Sequence, residues 1–207
     1  MAVTRRLAER EELFHKGDAG TQVFLVVAGR LKASASSSAG QEVVFSILGP
    51  GDVVGELALF SRGRRTATVM ALEPSELVVF EGCEVRRILR SKPDAALRLL
   101  EILAGRLRRT SERIEDQAFL GVRARLAKTL LELSRRFGEP TADGHRIELR
   151  LSQEELGVMV SATRESVNKH LREWTRDGVV STDRGWMTLH APDRLAALLP
   201  ERREESS

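Results

Sequence analysis

The side chains best suited to chemistry with another molecule lie in one short segment of the C-terminal third. Ser152 has the position of a helix N-cap, and Glu155 follows three residues later, which is the spacing of a capping box. A turn over residues 161–163 comes next, and Thr163 can cap a second helix. Two short helices joined by such a turn are typical of a helix-turn-helix, whose second helix enters the major groove of DNA.

The second helix of this pair carries polar side chains that can reach base edges. Arg164 can bind guanine bidentately, Glu165 can accept from cytosine N4, and Lys169 can reach a guanine or a phosphate. A glutamate near phosphates is unfavourable unless it meets a base donor, so Glu165 favours base reading. We predict the following DNA-binding residues: Ser152, Thr163, Arg164, Glu165, Asn168, Lys169 and Arg172.

The surrounding elements decide between this interpretation and a merely solvated charged face. Val167, Leu171 and Trp174 recur at i, i+4 and i+7 and are predicted to point into a core. A strand is predicted over residues 146–151, and two more over 179–182 and 186–190 around Arg184-Gly185. Helices flanked by a small two-stranded hairpin indicate a winged helix. A winged helix used for protein contacts is the remaining alternative.

The first third of the chain has a different sequence pattern, in which glycines separate short apolar runs. Runs over residues 23–28, 43–48, 68–72 and 77–80 with regular turn signals predict an antiparallel sandwich, roll or barrel. Residues 33–40 (ASASSSAG) are predicted to form a loose hairpin tip. Gly49-Pro50-Gly51-Asp52 predicts a tight turn.

A long helix is predicted from Pro93 to about Leu120, and it carries a stripe at alternating spacings of three and four. The stripe is the a/d seam of a coiled coil, which favours a dimer. Its members are Leu100, Leu103, Leu107, Thr110, Ile114 and Gln117. The alternative is a helix lying on the core of its own domain. A second helix is predicted over residues 123–137, followed by a loop (GEPTADGH).

Composition narrows the class of protein. The 207 residues carry 33 Lys and Arg against 30 Asp and Glu, a net charge of +3 that alone does not indicate nucleic-acid binding. Cys83 is the single cysteine and the four histidines are scattered, so no metal site is expected. No run reaches the ~20 apolar residues of a membrane span, and the N-terminus lacks a signal-peptide core. We therefore expect a cytoplasmic protein without a membrane partner.

Four segments resemble the superfamily of the cyclic AMP receptor protein and the fumarate–nitrate regulator. Residues 151–177, with the core Thr-Arg-Glu-Ser-Val-Asn-Lys, resemble its helix-turn-helix, and residues 14–31 (FHKGDAGTQVFLVVAGRL) its opening β-roll motif. Residues 55–67 (GELALFSRGRRTA) are similar to its phosphate-binding cassette. Residues 106–133 resemble the dimerisation helix and hinge of the cyclic AMP receptor proteins.

The resemblance implies an α+β fold in three parts. Residues 1–90 would form a cyclic-nucleotide-binding β-roll (jelly roll), 91–120 a long dimerisation helix, and 121–207 a C-terminal winged helix-turn-helix. It also implies a homodimer that binds double-stranded DNA at a palindromic site with TGTGA-like half-sites. RNA polymerase is a further expected partner.

The resemblance also implies an effector pocket, for which cyclic AMP is the expected ligand. A turn of backbone N–H groups would face the phosphate, Arg65 would bind it as a fork, and Glu56 would accept from the ribose 2′-hydroxyl. The Glu-to-Arg spacing in the family varies by one residue, and Arg65 is preferred over Arg64. The ligand-binding residues implied are Gly55, Glu56, Leu57, Ala58, Arg65, Thr66, Arg106, Thr110 and Ser111.

Several alternatives stay open for this pocket. It can be vestigial in a constitutively active regulator, or it can take another effector such as cyclic GMP. A nucleotide-processing enzyme is disfavoured, because no paired carboxylates or activated nucleophile accompany the pocket. An iron–sulfur sensor would need more cysteines than the one present.

The expected mechanism is a ligand-dependent rearrangement at the dimer seam. A ligand shifts an equilibrium only if it binds the two arrangements with different affinity. We expect binding to extend the long helix through residues 119–121, a natural hinge. The two recognition helices would then lie one DNA turn apart, roughly 34 Å.

Overall fold

The computed structural model describes residues 3–61 and 63–200, which form two compact units. The first unit ends at Thr110 and the second begins at Ser111. The outermost residues of the predicted N- and C-terminal domains, 1–2 and 201–207, lie outside the described residues. Within the described part, no helix is long and apolar enough to cross a membrane.

The first unit is built on two four-stranded antiparallel sheets. One sheet has the order β1-β8-β3-β6 and the other β2-β7-β4-β5. The strands are β1 (Val3–Leu7), β2 (Glu12–Phe14), β3 (Gln22–Ala28), β4 (Leu31–Ser36), β5 (Glu42–Leu48), β6 (Val53–Val54), β7 (Thr68–Ala71) and β8 (Ser75–Glu81).

Apolar side chains from both sheets form the core of this unit. Phe24 of β3 pairs with Val79 of β8, and Leu31 of β4 pairs with Leu48 of β5. Leu31 and Leu77 are fully buried. The predicted antiparallel β architecture is therefore confirmed.

The hairpin between β4 and β5 differs from the prediction. Residues 33–36 continue β4 and pair with β5, so the tip is confined to residues 37–41. This part of the strand was not predicted because its buried side chains, Ala33 and Ser34, are small and lack the large apolar groups typical of a strand. The tight turn at residues 49–52 is present, and Gly49 N–H donates to Asp52 Oδ2 at 2.9 Å.

Three helices begin in the first unit. They are α1 (Leu57–Phe60), α2 (Gly82–Ser91) and α3 (Pro93–Phe119). The helix α2 was not predicted, and it carries Cys83 exposed on its surface. The helix α3 begins at the predicted Pro93, and none of its residues is buried. Five large apolar side chains of α3 are exposed: Leu97, Leu100, Leu107, Ile114 and Phe119.

The second unit combines helices with one small sheet. Its helices are α4 (Val122–Phe137), α5 (Gln153–Val160), α6 (Arg164–Arg176) and α7 (Pro192–Ala196). Its strands are β9 (Gly138–Thr141), β10 (Gly144–Ile147), β11 (Val180–Asp183) and β12 (Trp186–Leu189). The antiparallel sheet has the order β11-β12-β10-β9.

This sheet corrects two predictions. The predicted loop after α4 contains a β-hairpin, since Gly138–Thr141 pairs with Gly144–Ile147. The strand predicted over residues 146–151 ends at Ile147. The wing sheet therefore has four strands, where a two-stranded hairpin was predicted.

Candidate functional site

A tight turn between β6 and α1 forms the centre of the predicted effector pocket. Gly55 has φ +87°, and a Cβ at this position would lie 2.3 Å from Nη1 of Arg65. Glycine is thus required both by the backbone conformation and by the close approach of the guanidinium. Glu56 and Ala58 are 2% exposed, whereas Leu57 points outward.

Arg65 is more buried than Arg106, the other predicted cation of this pocket. Its Nη1 donates to the carbonyls of Gln22 at 2.9 Å and Gly55 at 3.0 Å, and its Cζ lies 4.1 Å from the centre of the Phe14 ring. Burial lowers the pKa of Arg65, although the charges of Asp18 and Glu56 act in the opposite direction. The guanidinium still stays protonated. Its buried Nε has no hydrogen-bond partner among the described residues.

Arg106, from the long helix, reaches the buried carboxylate of the pocket. Its Nη1 donates to Oε1 of Glu56 at 2.5 Å, and its Nη2 donates to the carbonyl of Val53. Glu56 is buried, and an unpaired carboxylate would be strongly disfavoured there. Arg106 compensates this charge.

The predicted pocket residues thus divide into two sets. Gly55, Glu56, Arg65 and Arg106 are brought together by direct contacts. Thr66, Thr110 and Ser111 are exposed. The Thr110 hydroxyl donates to the carbonyl of Arg106 at 3.0 Å, within its own helix.

Sequence reasoning did not single out the residues that hold Arg65. Phe14, Phe24 and Gln22 surround its guanidinium, and a Cβ at Gly20 would lie 2.5 Å from its Nε. All four lie in residues 14–31, the segment identified as a family motif. The resemblance marked this segment as important. The sequence alone did not reveal that its aromatic rings and glycine contact an arginine 40 or more positions away.

The second site is the pair α5 and α6, whose caps form as predicted. Ser152 Oγ accepts from Glu155 N–H at 3.1 Å, and the Glu155 carboxylate accepts from Ser152 N–H at 2.7 Å. Thr163 Oγ1 accepts from Ser166 N–H at 3.2 Å. Such caps are each worth about 1 kcal/mol. They fix where α6 begins.

The turn between these helices is unusually tight. Ser161 is in the left-handed conformation with φ +50°, uncommon for a residue other than glycine. A Cβ at Gly157 would lie 2.7 Å from the carbonyl oxygen of Ala162, so only glycine lets the turn fold back on α5.

The two faces of α6 differ as predicted. Val167, Leu171 and Trp174 are buried. Arg164, Glu165, Lys169 and Arg172 are exposed, and Asn168 is half-buried. The N-terminal half of α6 therefore presents an exposed row of donors and acceptors on a helix fixed by its apolar side.

Neither site contains a recognisable metal centre. Among residues 3–61 and 63–200, no three His, Cys, Asp or Glu side chains come together in a way that could hold a metal ion.

Two protein-family profiles match the chain, one in each half. The cyclic nucleotide-binding domain matches residues 4–92, and the Crp-like helix-turn-helix domain matches residues 124–198.

Individual proteins match over nearly the whole chain. A curated relative, the CRP-like cAMP-activated global transcriptional regulator of Mycobacterium tuberculosis, is 32% identical over 89% of this chain and 82% of its own length. FixK2 from Bradyrhizobium japonicum has the same fold, with a TM-score of 0.87 at 21% identity over 97% of this chain and 98% of its own. The c-di-GMP responsive global regulator CLP of Xanthomonas campestris has a TM-score of 0.75 at 27% identity, over 91% and 94%.

The α+β fold and the two matched domains define a transcription regulator with a cyclic nucleotide-binding domain and a DNA-binding helix-turn-helix. The chain belongs to the superfamily of the cyclic AMP receptor protein and the fumarate–nitrate regulator. The resemblance drawn from the sequence is confirmed. Because its relatives are named transcriptional regulators, the expectation that the chain is not an enzyme is supported as well.

Proposed function

We propose that this chain is a homodimeric transcription regulator of the cytoplasm, controlled by a cyclic nucleotide, and that cyclic AMP is its effector. One observation carries the effector proposal: the buried Nε of Arg65 has no acceptor among the described residues. A buried unsatisfied donor is costly, by about 1–3 kcal/mol. A phosphate oxygen would supply the missing acceptor.

The remaining groups of the pocket fit the same ligand. The first N–H groups of α1 have no intrahelical acceptors, and such groups suit an anion. Thr66 adds an exposed hydroxyl beside Arg65. Oε1 of Glu56 is paired with Arg106, and its second oxygen is the acceptor we assign to the ribose 2′-hydroxyl. Thr110 and Ser111 would contact the base, one of them from the second subunit.

The dimer proposal rests on α3. A 27-residue helix without a buried residue, carrying exposed leucines along the predicted seam, leaves apolar area that a partner helix would cover. A two-fold dimer would present two α6 helices to the half-sites of a palindrome. The proposed DNA contacts are the seven residues predicted from the sequence. RNA polymerase would be the partner of the DNA-bound dimer.

A second candidate function is a regulator that needs no ligand. It is favoured by the Glu56–Arg106 pair and by the two carbonyls bound to Arg65, which already satisfy much of the pocket. The c-di-GMP responsiveness named for the Xanthomonas protein makes that dinucleotide the alternative effector to include in the test.

Titration calorimetry with cyclic AMP, cyclic GMP and cyclic di-GMP separates these candidates, followed by binding to palindromic DNA with and without each ligand. We expect cyclic AMP to bind and to tighten the DNA complex. Thr66→Ala should weaken cyclic AMP binding about 10- to 150-fold, since a hydrogen bond to a charged group contributes about 1.5–3 kcal/mol. Thr4→Ala, at an exposed site on β1, is the control. High DNA affinity without any bound nucleotide would instead establish the ligand-independent regulator.

A further inference from the structure

One arginine of α4 joins the end of the long helix to the turn of the helix-turn-helix. Nη1 of Arg125 donates to the carbonyl of Leu120 at 2.6 Å, just beyond the end of α3. Its Nε donates to the carbonyl of Val160 at 2.9 Å, and its Nη2 to that of Ser161 at 3.4 Å. A single guanidinium therefore holds backbone acceptors from two segments that lie about 40 positions apart in the chain.

These acceptors are the groups that each helix end leaves without an intrahelical partner. The last carbonyls of a helix need capping from outside, and here one side chain provides it for both α3 and α5. Because the planar guanidinium donates in fixed directions, it sets the positions of the two ends relative to each other as well as satisfying them. A lysine, with a single compact ammonium, cannot reproduce this geometry.

A second contact joins the same two segments. Nε2 of Gln117, near the end of α3, donates to Oγ of Ser161 at 2.8 Å. The sequence predicts Gln117 in the dimer seam, whereas its amide contacts the turn of its own chain. Ser161 is the residue with φ +50°, so both contacts converge on the most strained point of the turn.

We propose that Arg125, assisted by Gln117, is a positioning residue that transmits the state of the hinge at residues 119–121 to the start of the recognition helix α6. This inference rests on the proposed function, because it assigns to Arg125 the regulation of DNA binding by effector. A change in the end of α3 would move Leu120, and through Arg125 it would move Val160 and Ser161. Thr163, which caps α6, lies two residues after Ser161 and would move with it.

The test uses the full-length protein and three variants. Arg125→Gln removes the charge and replaces the guanidinium fork with a shorter amide, and Arg125→Lys keeps the charge without the fork. Arg135→Gln is the matched control, since it removes the same charge from an exposed position of the same helix. Hydrogen–deuterium exchange is measured over residues 117–124 and 157–165, and the ratio of palindrome affinities with and without cyclic AMP is measured for each protein.

We expect both Arg125 variants to exchange faster in both segments, whereas Arg135→Gln matches the wild type. Where the wild type responds to cyclic AMP, both Arg125 variants should lower its affinity ratio at least 5-fold while leaving cyclic AMP affinity unchanged. Unchanged exchange in residues 157–165, or full rescue by Arg125→Lys, would overturn the inference. A wild type that ignores cyclic AMP would refute the proposed effector instead, and the exchange data would still decide the role of Arg125.

Discussion

At the scale of single residues, the exposed face of α6 allows a direct test of whether its side chains recognise DNA bases. Arg164 is exposed in the first turn of a helix whose other side is fixed by Val167 and Leu171. Arg164→Ala should cost about 1–3 kcal/mol of DNA binding and relax specificity at one base position. Competition binding against operators with single base changes measures this effect.

The control for this prediction lies at the other end of the same helix. Arg176→Ala removes an exposed arginine that is paired with Asp177, and it should leave base preference unchanged. Equal loss of specific and non-specific binding in Arg164→Ala would show that Arg164 contacts only phosphate.

A second residue-scale feature is the ion pair that joins β4 to β5. Nζ of Lys32 lies 2.8 Å from Oε1 and 3.0 Å from Oε2 of Glu42. Burial acts to raise the pKa of Glu42, but hydrogen bonds from Lys32 and Ser34 and the charge of Lys32 outweigh it and lower the pKa. The pair therefore stabilises the fold above the pKa that Glu42 has in the unfolded chain. This stabilisation is lost as pH falls through the lower pKa of the folded state.

Glu42→Gln should accordingly lower the free energy of unfolding at pH 7, and the difference from wild type should shrink as the pH falls below about 4. Urea unfolding of wild type and variant at pH 7 and at about pH 3 measures this difference. Glu76→Gln removes a more exposed carboxylate, 3.7 Å from Arg6, and should lower the free energy of unfolding at pH 7 by less. A Glu42→Gln deficit that stayed constant down to pH 3 would mean that the charge of Glu42 is not involved.

At the scale of elements, the turn between α5 and α6 depends on one glycine. The Cβ of Gly157→Ala would lie 2.7 Å from the backbone oxygen of Ala162, which cannot move without opening the turn. We expect a loss of about 1–3 kcal/mol in unfolding free energy, as for other overpacked sites, together with weaker DNA binding.

Gly105→Ala is the corresponding control in α3. Its Cβ would meet only the Arg109 side chain at 3.5 Å, an ordinary contact. Alanine is about 1 kcal/mol better than glycine inside a helix, so this variant should be more stable than wild type. Chemical denaturation of both variants makes the comparison, and equal stability of the two would contradict the packing argument.

Elements with strong periodicity or caps could be predicted from the sequence, and those without could not. The long α3 and the capped pair α5 and α6 lie close to their predicted positions. The hairpin of β9 and β10 was missed because Pro140 and Gly144 signal a loop. Pro140 lies in the edge strand β9, where proline is tolerated, and Gly144 is the first residue of β10. The helix α2 was missed because it has ten residues and no side-chain cap.

The effector pocket, too, could be predicted only in part. The types and spacing of Gly55, Glu56 and Arg65 were enough to predict a pocket through the family resemblance. What could not be predicted is which partners those groups have without a ligand, since the contact of Glu56 with Arg106 depends on tertiary packing over 50 positions.

At the scale of the whole molecule, the proposed dimer depends on the exposed face of α3. Leu107 is 70% exposed, and a charge there would be tolerated by a monomer but not at an apolar seam. If the proposed dimer forms through this face, Leu107→Glu should convert it to a monomer and reduce affinity for a palindrome much more than for a half-site. Sedimentation velocity and operator titration measure both effects.

The adjacent position provides the control for assembly. Arg108→Glu changes an exposed residue beside the seam, and it should sediment as the wild type does. A Leu107→Glu variant that stays dimeric would place the subunit contact elsewhere on the chain.

The single cysteine has a practical consequence for measuring such a dimer. Cys83 is exposed on α2 and has no second thiol to compete with it. A maleimide spin label would therefore attach once per subunit without any engineered mutation. In a two-fold dimer the two labels form one pair, and pulsed dipolar spectroscopy would report their separation directly, with and without nucleotide or operator.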